Sequence, residues 1–197
     1  MKKFLILLAV LVVAGTWFVI STLNGMIPLD EITKEKWSLV LNQYQRRTDL
    51  IPSLVATVKG YATHEEETLT KVIEARNKAT QTTLTPEMLT DEKAMTAFMN
   101  NQNALSSALS RLMVVVEKYP ELKANENFMA LQSQLEGTEN RIAVARGDYI
   151  AAVRNYNVRI RTIPTKWVVA IFSDLKQKAS FDIPEEKQQA PVVDFSK

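Results

Sequence analysis

Cysteine is absent from this chain, which excludes disulfides, thiol catalysis, thiolate metal sites and a lipid-modified cysteine, and leaves the redox compartment open. Glycine is scarce: five in 197 residues, beside seven prolines, is too little turn chemistry for a strand-rich sandwich or barrel. A mainly helical domain of modest size is the expectation. Net charge is nearly absent too. Two of the 24 basic residues are Lys2 and Lys3, and without them the 22 that remain match the 22 acidic ones. That balance gives no bulk attraction to nucleic acid, which is set aside as a partner. No glycine-rich phosphate loop or nucleophile elbow appears, so no catalytic residues, cofactor or metal are assigned and an enzyme is not expected.

Phe4 to Ile20 reads FLILLAVLVVAGTWFVI without a charge, and the milder STLNGMI carries the run to Ile27. That is long enough to cross a hydrocarbon core about 30 Å thick. Residues 1–27 are read as a single-pass transmembrane anchor with Phe4, Leu7, Leu11, Trp17 and Ile20 among its lipid-facing groups. A cleaved signal peptide is the rival reading, but the run exceeds the usual ~7 to 15 apolar residues and no clean small-x-small site precedes Met26. Lys2, Lys3 and the amino terminus outweigh Lys34 and Lys36 across the span, which points to an N-in orientation with the body outside the cytoplasm.

Steps of three and four residues from Trp37 pass through Leu41, Tyr44, Thr48, Ile51, Val55, Val58, Ala62, Glu65, Leu69, Val72, Arg76 and Ala79. The seam predicts one long helix over about 33 to 80, bent near 48 to 52 by Pro52 and weakened at Gly60. Gln81 to Thr85 reads as a loop, with Thr85-Pro86 or Thr90 opening a second helix that Pro120 stops. A third helix, capped by Asn125 and closed by Pro164, carries small residues at Thr138, Ala145 and Ala152 that let a neighbour approach closely. Trp167 to Leu175 is too short to span. It is either a capping helix over the core or a membrane-contacting segment. The fold class is therefore all-α: one transmembrane helix, then an antiparallel bundle of three long helices and a short fourth over 28–180, with 181–197 as a flexible tail.

His64 is followed by Glu65, Glu66 and Glu67, yet consecutive helical residues diverge, so a solvated acidic turn is favoured over a metal site or a phosphoacceptor. Glu65 and Arg76 occupy seam positions where apolar groups belong, and a buried charge needs a partner. Glu139, Arg141 and Arg146 are the candidates for structural ion pairs, with a ligand-binding polar pocket as the alternative. Arg46, Arg47 and Asp49 are read as a solvated face against lipid headgroup or subunit contact, since two arginines fall short of the usual 4 to 8 basic residues.

The run Asn42 to Glu65, NQYQRRTDLIPSLVATVKGYATHE, resembles the LemA family. The match continues in order through Trp37 and Ser38, Glu74-Ala75-Arg76, Glu117-Lys118-Tyr119-Pro120, Asn127-Phe128, Leu135-Glu136, Thr138-Glu139-Asn140-Arg141-Ile142-Ala143, Ala145-Arg146, Tyr156-Asn157 and Pro191-Val192-Val193-Asp194-Phe195. Leu23-Asn24, Ser53 and Ile150 depart from the family pattern of Tyr-Asn, Asn and Asn. The resemblance implies a helical protein anchored in the bacterial inner membrane, with no established chemistry.

If the three long helices run up, down and up, the first outlasts the second by roughly 14 residues, or about 21 Å, next to the bilayer. That stretch includes Trp37, Val40, Leu41 and Tyr44, and an exposed apolar strip marks a contact surface. The expectation is a homo-oligomeric scaffold that organises or shapes the membrane through this strip. The alternatives are an adaptor or sensory module that binds another membrane protein, such as a transporter or protease, and a bundle that binds a ligand in an inner cavity.

Overall fold

The computed structural model describes residues 1–81 and 85–181. Helix α1, Lys2–Asn24, contains the apolar run, and Phe4, Leu7, Leu11, Trp17 and Ile20 all lie exposed on it. The uncharged part of α1 from Phe4 to Ile20 is almost entirely exposed, and an apolar run of this length is compatible with a membrane span. Gly25 and Met26 keep right-handed helical dihedrals. Their amides donate to the Ser21 and Leu23 carbonyls at 3.1 and 2.9 Å, and the Asp30 amide donates to Met26 at 3.0 Å. Helix α2, Ile27–Lys59, follows with Pro28 in its first turn, where a missing N–H costs nothing. The span therefore runs into the body without a flexible linker.

The rod expected over 33 to 80 is two helices. α2 ends at Lys59, the chain turns through Gly60–Glu65, and α3, Glu66–Gln81, packs back along α2. Gly60 weakens the helix by about 1 kcal/mol relative to alanine, and the Tyr61 and Ala62 amides close on the Val58 carbonyl at 3.0 and 2.9 Å. Glu66 and Glu67 then start α3 where the helix dipole favours negative charge. The heptad seam survives the turn because both helices bury the face it marks: Val58 and Val72 are each fully buried.

A 3-10 turn at Pro86–Thr90 leads to α4, Glu92–Val116, which starts later than Thr85-Pro86 suggests. The cap is Asp91, whose carboxylate accepts from the Lys93 and Ala94 amides at 2.9 and 3.1 Å. Pro120 opens a single turn, α5, Pro120–Lys123. α6, Glu126–Arg161, is capped by Asn125 as its sequence predicts, with Oδ1 accepting from the Phe128 amide at 3.0 Å. α7, Thr165–Phe172, follows Pro164. No strand occurs among the described residues.

Cross-helix contacts fix the directions. Arg47 meets Glu139 and Trp37 meets Tyr149, so α2 and α6 are antiparallel. Arg76 meets Thr48 and Gln102 meets Ala79, so α3 descends beside α2 and α4 rises beside α3. The interior has three layers along the axis. The far layer gathers Val58, Val72, Leu112 and Phe128; the middle layer is aromatic; the layer nearest α1 holds Met26, Tyr156, Ile160 and Val169.

Candidate functional site

The end of the bundle nearest α1 is a collar. Met26 is fully buried against Tyr156, Ile160 and Val169, with Leu23, Leu29 and Leu175 at its rim. After α7 the chain crosses back as a strap. Asn157 clamps Lys178 through both backbone groups: its Nδ2 donates to the Lys178 carbonyl at 2.8 Å and its Oδ1 accepts from the Lys178 amide at 2.9 Å. The Lys178 ammonium reaches Asp30 on α2 at 2.7 Å, and Lys34 reaches the same carboxylate at 2.8 Å. Burial pushes the Asp30 carboxyl up, but the hydrogen bonds from Lys178 and Lys34 outweigh it and hold its pKa below the ordinary value. Tyr156, beneath Lys178, is pushed by burial up to about 12.

The strap ends in the aromatic layer. The Tyr149 hydroxyl donates to the Ala179 carbonyl at 2.9 Å, and the Ala179 amide donates to Leu89 at 2.7 Å. Phe181 then stacks on Trp37 and Tyr149 at ring separations of 5.9 and 5.2 Å. Phe181, which the sequence pattern assigns to the tail, is thus core; the PVVDF segment lies outside the described residues. This arrangement corrects the self-association strip. Trp37, Val40 and Tyr44 are buried and Leu41 half-buried, because Phe98, Tyr149 and Phe181 close over them. The mismatch in helix length does not arise once the rod is a hairpin, and with these rings over them the four residues form core and not a contact surface.

A polar layer lies above the aromatics, centred on an arginine that the sequence reading places on a solvated face. Arg47 is 1% exposed. Its Nη1 donates to Ser106 Oγ and Glu139 Oε1, both at 2.8 Å, and its Nη2 to Gln102 Oε1 at 2.6 Å. Its Nε is buried without a hydrogen-bond partner. Of the candidate ion-pair residues, Glu139 is therefore paired, but with Arg47. Arg76 instead donates from Nε to the Thr48 carbonyl at 3.0 Å, and Glu65 accepts from the Tyr119 hydroxyl at 3.3 Å. Arg146 lies 4.7 Å over the Phe181 ring, far along the bundle from Glu65, and Arg141 is exposed. The two charged residues at seam positions, Arg76 and Glu65, are accommodated separately, by a carbonyl and a hydroxyl.

His64 is exposed in the turn between α2 and α3, and among the described residues no three His, Asp or Glu converge on one point. A cleft of about 630 Å³ opens between the start of α4, α6 and the strap, with Asn100, Asn103, Arg146 and Asn157 on its walls. Its lining includes one carboxylate, Glu92, and the Thr96 hydroxyl beside it donates to the Glu92 backbone carbonyl at 2.7 Å. The outward face of α6 is uncovered. Ala143, Val144, Gly147, Ile150, Ala151 and Val158 all lie exposed on one side of it, Val144 at 66% and Val158 at 58%. A Cβ at Gly147 would meet nothing within 4 Å.

A sequence model of the LemA family matches residues 36–195. Magnetosome protein MamQ 2 of Paramagnetospirillum magneticum is 29% identical over 160 residues, covering 73% of this chain and 57% of that protein. Magnetosome protein MamQ of Magnetospirillum gryphiswaldense is 25% identical over 181 residues, covering 82% and 65%. Protein LemA of Metamycoplasma hominis is 24% identical over 185 residues, covering 93% and 80%. The chain spans less than two thirds of the length of these magnetosome relatives.

Proposed function

The chain belongs to the LemA family, and from that premise we propose a non-enzymatic, membrane-anchored protein that self-assembles into a homo-oligomeric scaffold organising or shaping the bacterial membrane. The observation that carries this reading is the outward face of α6. Exposed small and apolar side chains over Ala143–Val158, with the charged Arg154 among them, offer a surface that a second copy can cover closely, and apolar groups left to water mark contacts. The linker-free entry of α1 into α2 and the collar at the junction support a bundle held in one orientation to the bilayer. Copies joined along α6 would then impose one geometry on their spans. That three of the matched relatives are named magnetosome proteins is in keeping with a membrane-associated protein. Lys2 and Lys3 at the amino terminus support an extracytoplasmic body.

The test is the mass and shape of the full-length protein in lipid particles and vesicles, by light scattering and electron microscopy. The native chain and Val144→Glu, Ile150→Glu are compared, since both residues are exposed and the charges leave the core intact. A large, regular assembly lost in the variant supports the scaffold. A monomer in both overturns it and directs crosslinking toward a foreign membrane protein.

A further inference from the structure

Helix α7 is apolar on the side that faces away from the protein. Thr165, Val168 and Val169 point inward and are buried, as a short helix docked on a core requires. The opposite side carries Trp167, Ala170 and Ile171, with Trp167 60% and Ile171 73% exposed. A water-facing helix carries polar groups there, and a helix apolar all round is covered by something. At eight residues α7 is too short to span a bilayer.

Its position names what covers it. Val169 packs in the collar against Met26, with Leu23 of α1 beside them, so α7 is docked where the apolar run leaves the span. Ile20 and Ile27 are exposed at that junction and Ile163 precedes α7, also exposed, so the apolar surface of α1 continues toward α7. Trp17 on the span and Trp167 on α7 are both largely exposed, the pattern of aromatic residues at a membrane interface. The chain from 159 to 176, which contains α7, carries the exposed cations Arg159, Arg161, Lys166 and Lys176 and one acidic residue, Asp174, while Glu31 and Glu35 are exposed on α2 beyond the junction. The Arg159 guanidinium reaches the junction itself, 4.0 Å from where a Cβ on Gly25 would stand.

We infer that α7 is an interfacial helix: its Trp167–Ile171 face lies in the surface of a bilayer with anionic headgroups, beside the exit of α1. Such a helix sits roughly 5 to 10 Å into the boundary between headgroups and acyl chains, and with the collar it fixes the bundle at two points. The inference rests on the anchor reading of α1 and not on self-assembly.

The cysteine-free sequence makes the test direct. Full-length Ile171→Cys, Leu8→Cys and Val114→Cys chains, each labelled with an environment-sensitive fluorophore, are reconstituted in phosphatidylglycerol–phosphatidylcholine vesicles with lipids carrying a quencher at a shallow or a deep acyl position. Val114 is nearly as exposed as Ile171, at 67%, but lies at the far end of α4. The expected result is strong deep quenching at position 8, about twofold or greater shallow quenching at 171, and none at 114. Quenching at 8 with none at 171 overturns the inference and leaves the anchor standing. A label at 171 shielded from aqueous iodide yet unquenched by lipid also overturns it, in favour of a covering protein. No quenching at 8 removes the anchor and the inference together.

Discussion

Arg76 Nε donates at 3.0 Å to the carbonyl of Thr48, the acceptor that Pro52 leaves empty. In an unbroken helix the amide four residues on would take that carbonyl; Pro52 has no N–H, and α2 continues through it regardless. The side chain from α3 restores the missing bond and ties the two helices at the weak point. Arg76→Met should therefore cost about 1 to 2 kcal/mol through an unsatisfied, part-buried carbonyl. In a Pro52→Ala background, where the amide returns, the same change should cost measurably less. Denaturant unfolding of the four-member cycle checks this; equal costs in both backgrounds would mean Arg76 does not stand in for the lost bond.

The pair formed by Arg47 and Glu139 behaves differently because the cation is buried while the carboxylate side chain is 42% exposed. Removing Glu139 leaves the guanidinium bound to Ser106 and Gln102 but without a counter-charge. Glu139→Ala should destabilise by about 2 kcal/mol, less than for a fully buried pair. Glu139→Gln, which keeps an acceptor, should lose less than the alanine variant. Thermal melting in detergent distinguishes them, and a neutral Glu139→Ala would sink the assigned role.

Asp30 supplies a pH dependence of known sign. Its folded pKa lies below the unfolded value of about 3.9, so it contributes stability above about pH 4 that is lost as pH falls through the folded value. Asp30→Asn should melt lower than the native chain at pH 7, because Lys178 loses its anion, by about 2 kcal/mol. The gap should narrow below pH 4. Melting curves from pH 7 to 3 read both; parallel curves would show that Asp30 contributes nothing through its charge.

Much of the fold follows from local rules visible in the residues. The apolar run, the Asn125 cap and the small residues Thr138 and Ala152 of the third helix are each set by nearest neighbours, and each stands where those rules put it. The turn at Gly60 was illegible in the periodicity, because a hairpin that buries both arms carries the same seam as a rod. Arg47 had a signal: it stands three residues after Tyr44 and four before Ile51, on the buried side of α2, whereas its neighbour Arg46 faces outward. The Trp37 strip failed for a non-local reason. Its cover comes from Phe181, more than a hundred residues on, in a stretch whose composition resembles a tail.

Phe181 tests that reading from the other direction. A residue in a free tail can be cut back without consequence, whereas a ring packed on Trp37 and Tyr149 leaves a cavity. Phe181→Ala should cost about 3 kcal/mol, seen as a lower denaturation midpoint by circular dichroism. An unchanged midpoint would return Phe181 to the tail.

The hairpin between α2 and α3 has the sharpest distance signature. Asp49 and Asn77 are both exposed, and along one straight helix their separation of 28 positions would put them about 42 Å apart at 1.5 Å per residue. In the folded hairpin the neighbouring pair Thr48 and Arg76 are hydrogen-bonded, so spin labels at 49 and 77 should read roughly 25 Å or less with their linkers included. Because the chain has no native thiol, Asp49→Cys, Asn77→Cys needs no background changes, and pulsed electron resonance in detergent and in vesicles gives the distance in both. A peak near 40 Å would restore the rod, expose the inner faces of α2 and α3, and reopen the seam as an assembly surface. A short distance leaves both faces inside the bundle and α6 as the side offered to a second copy.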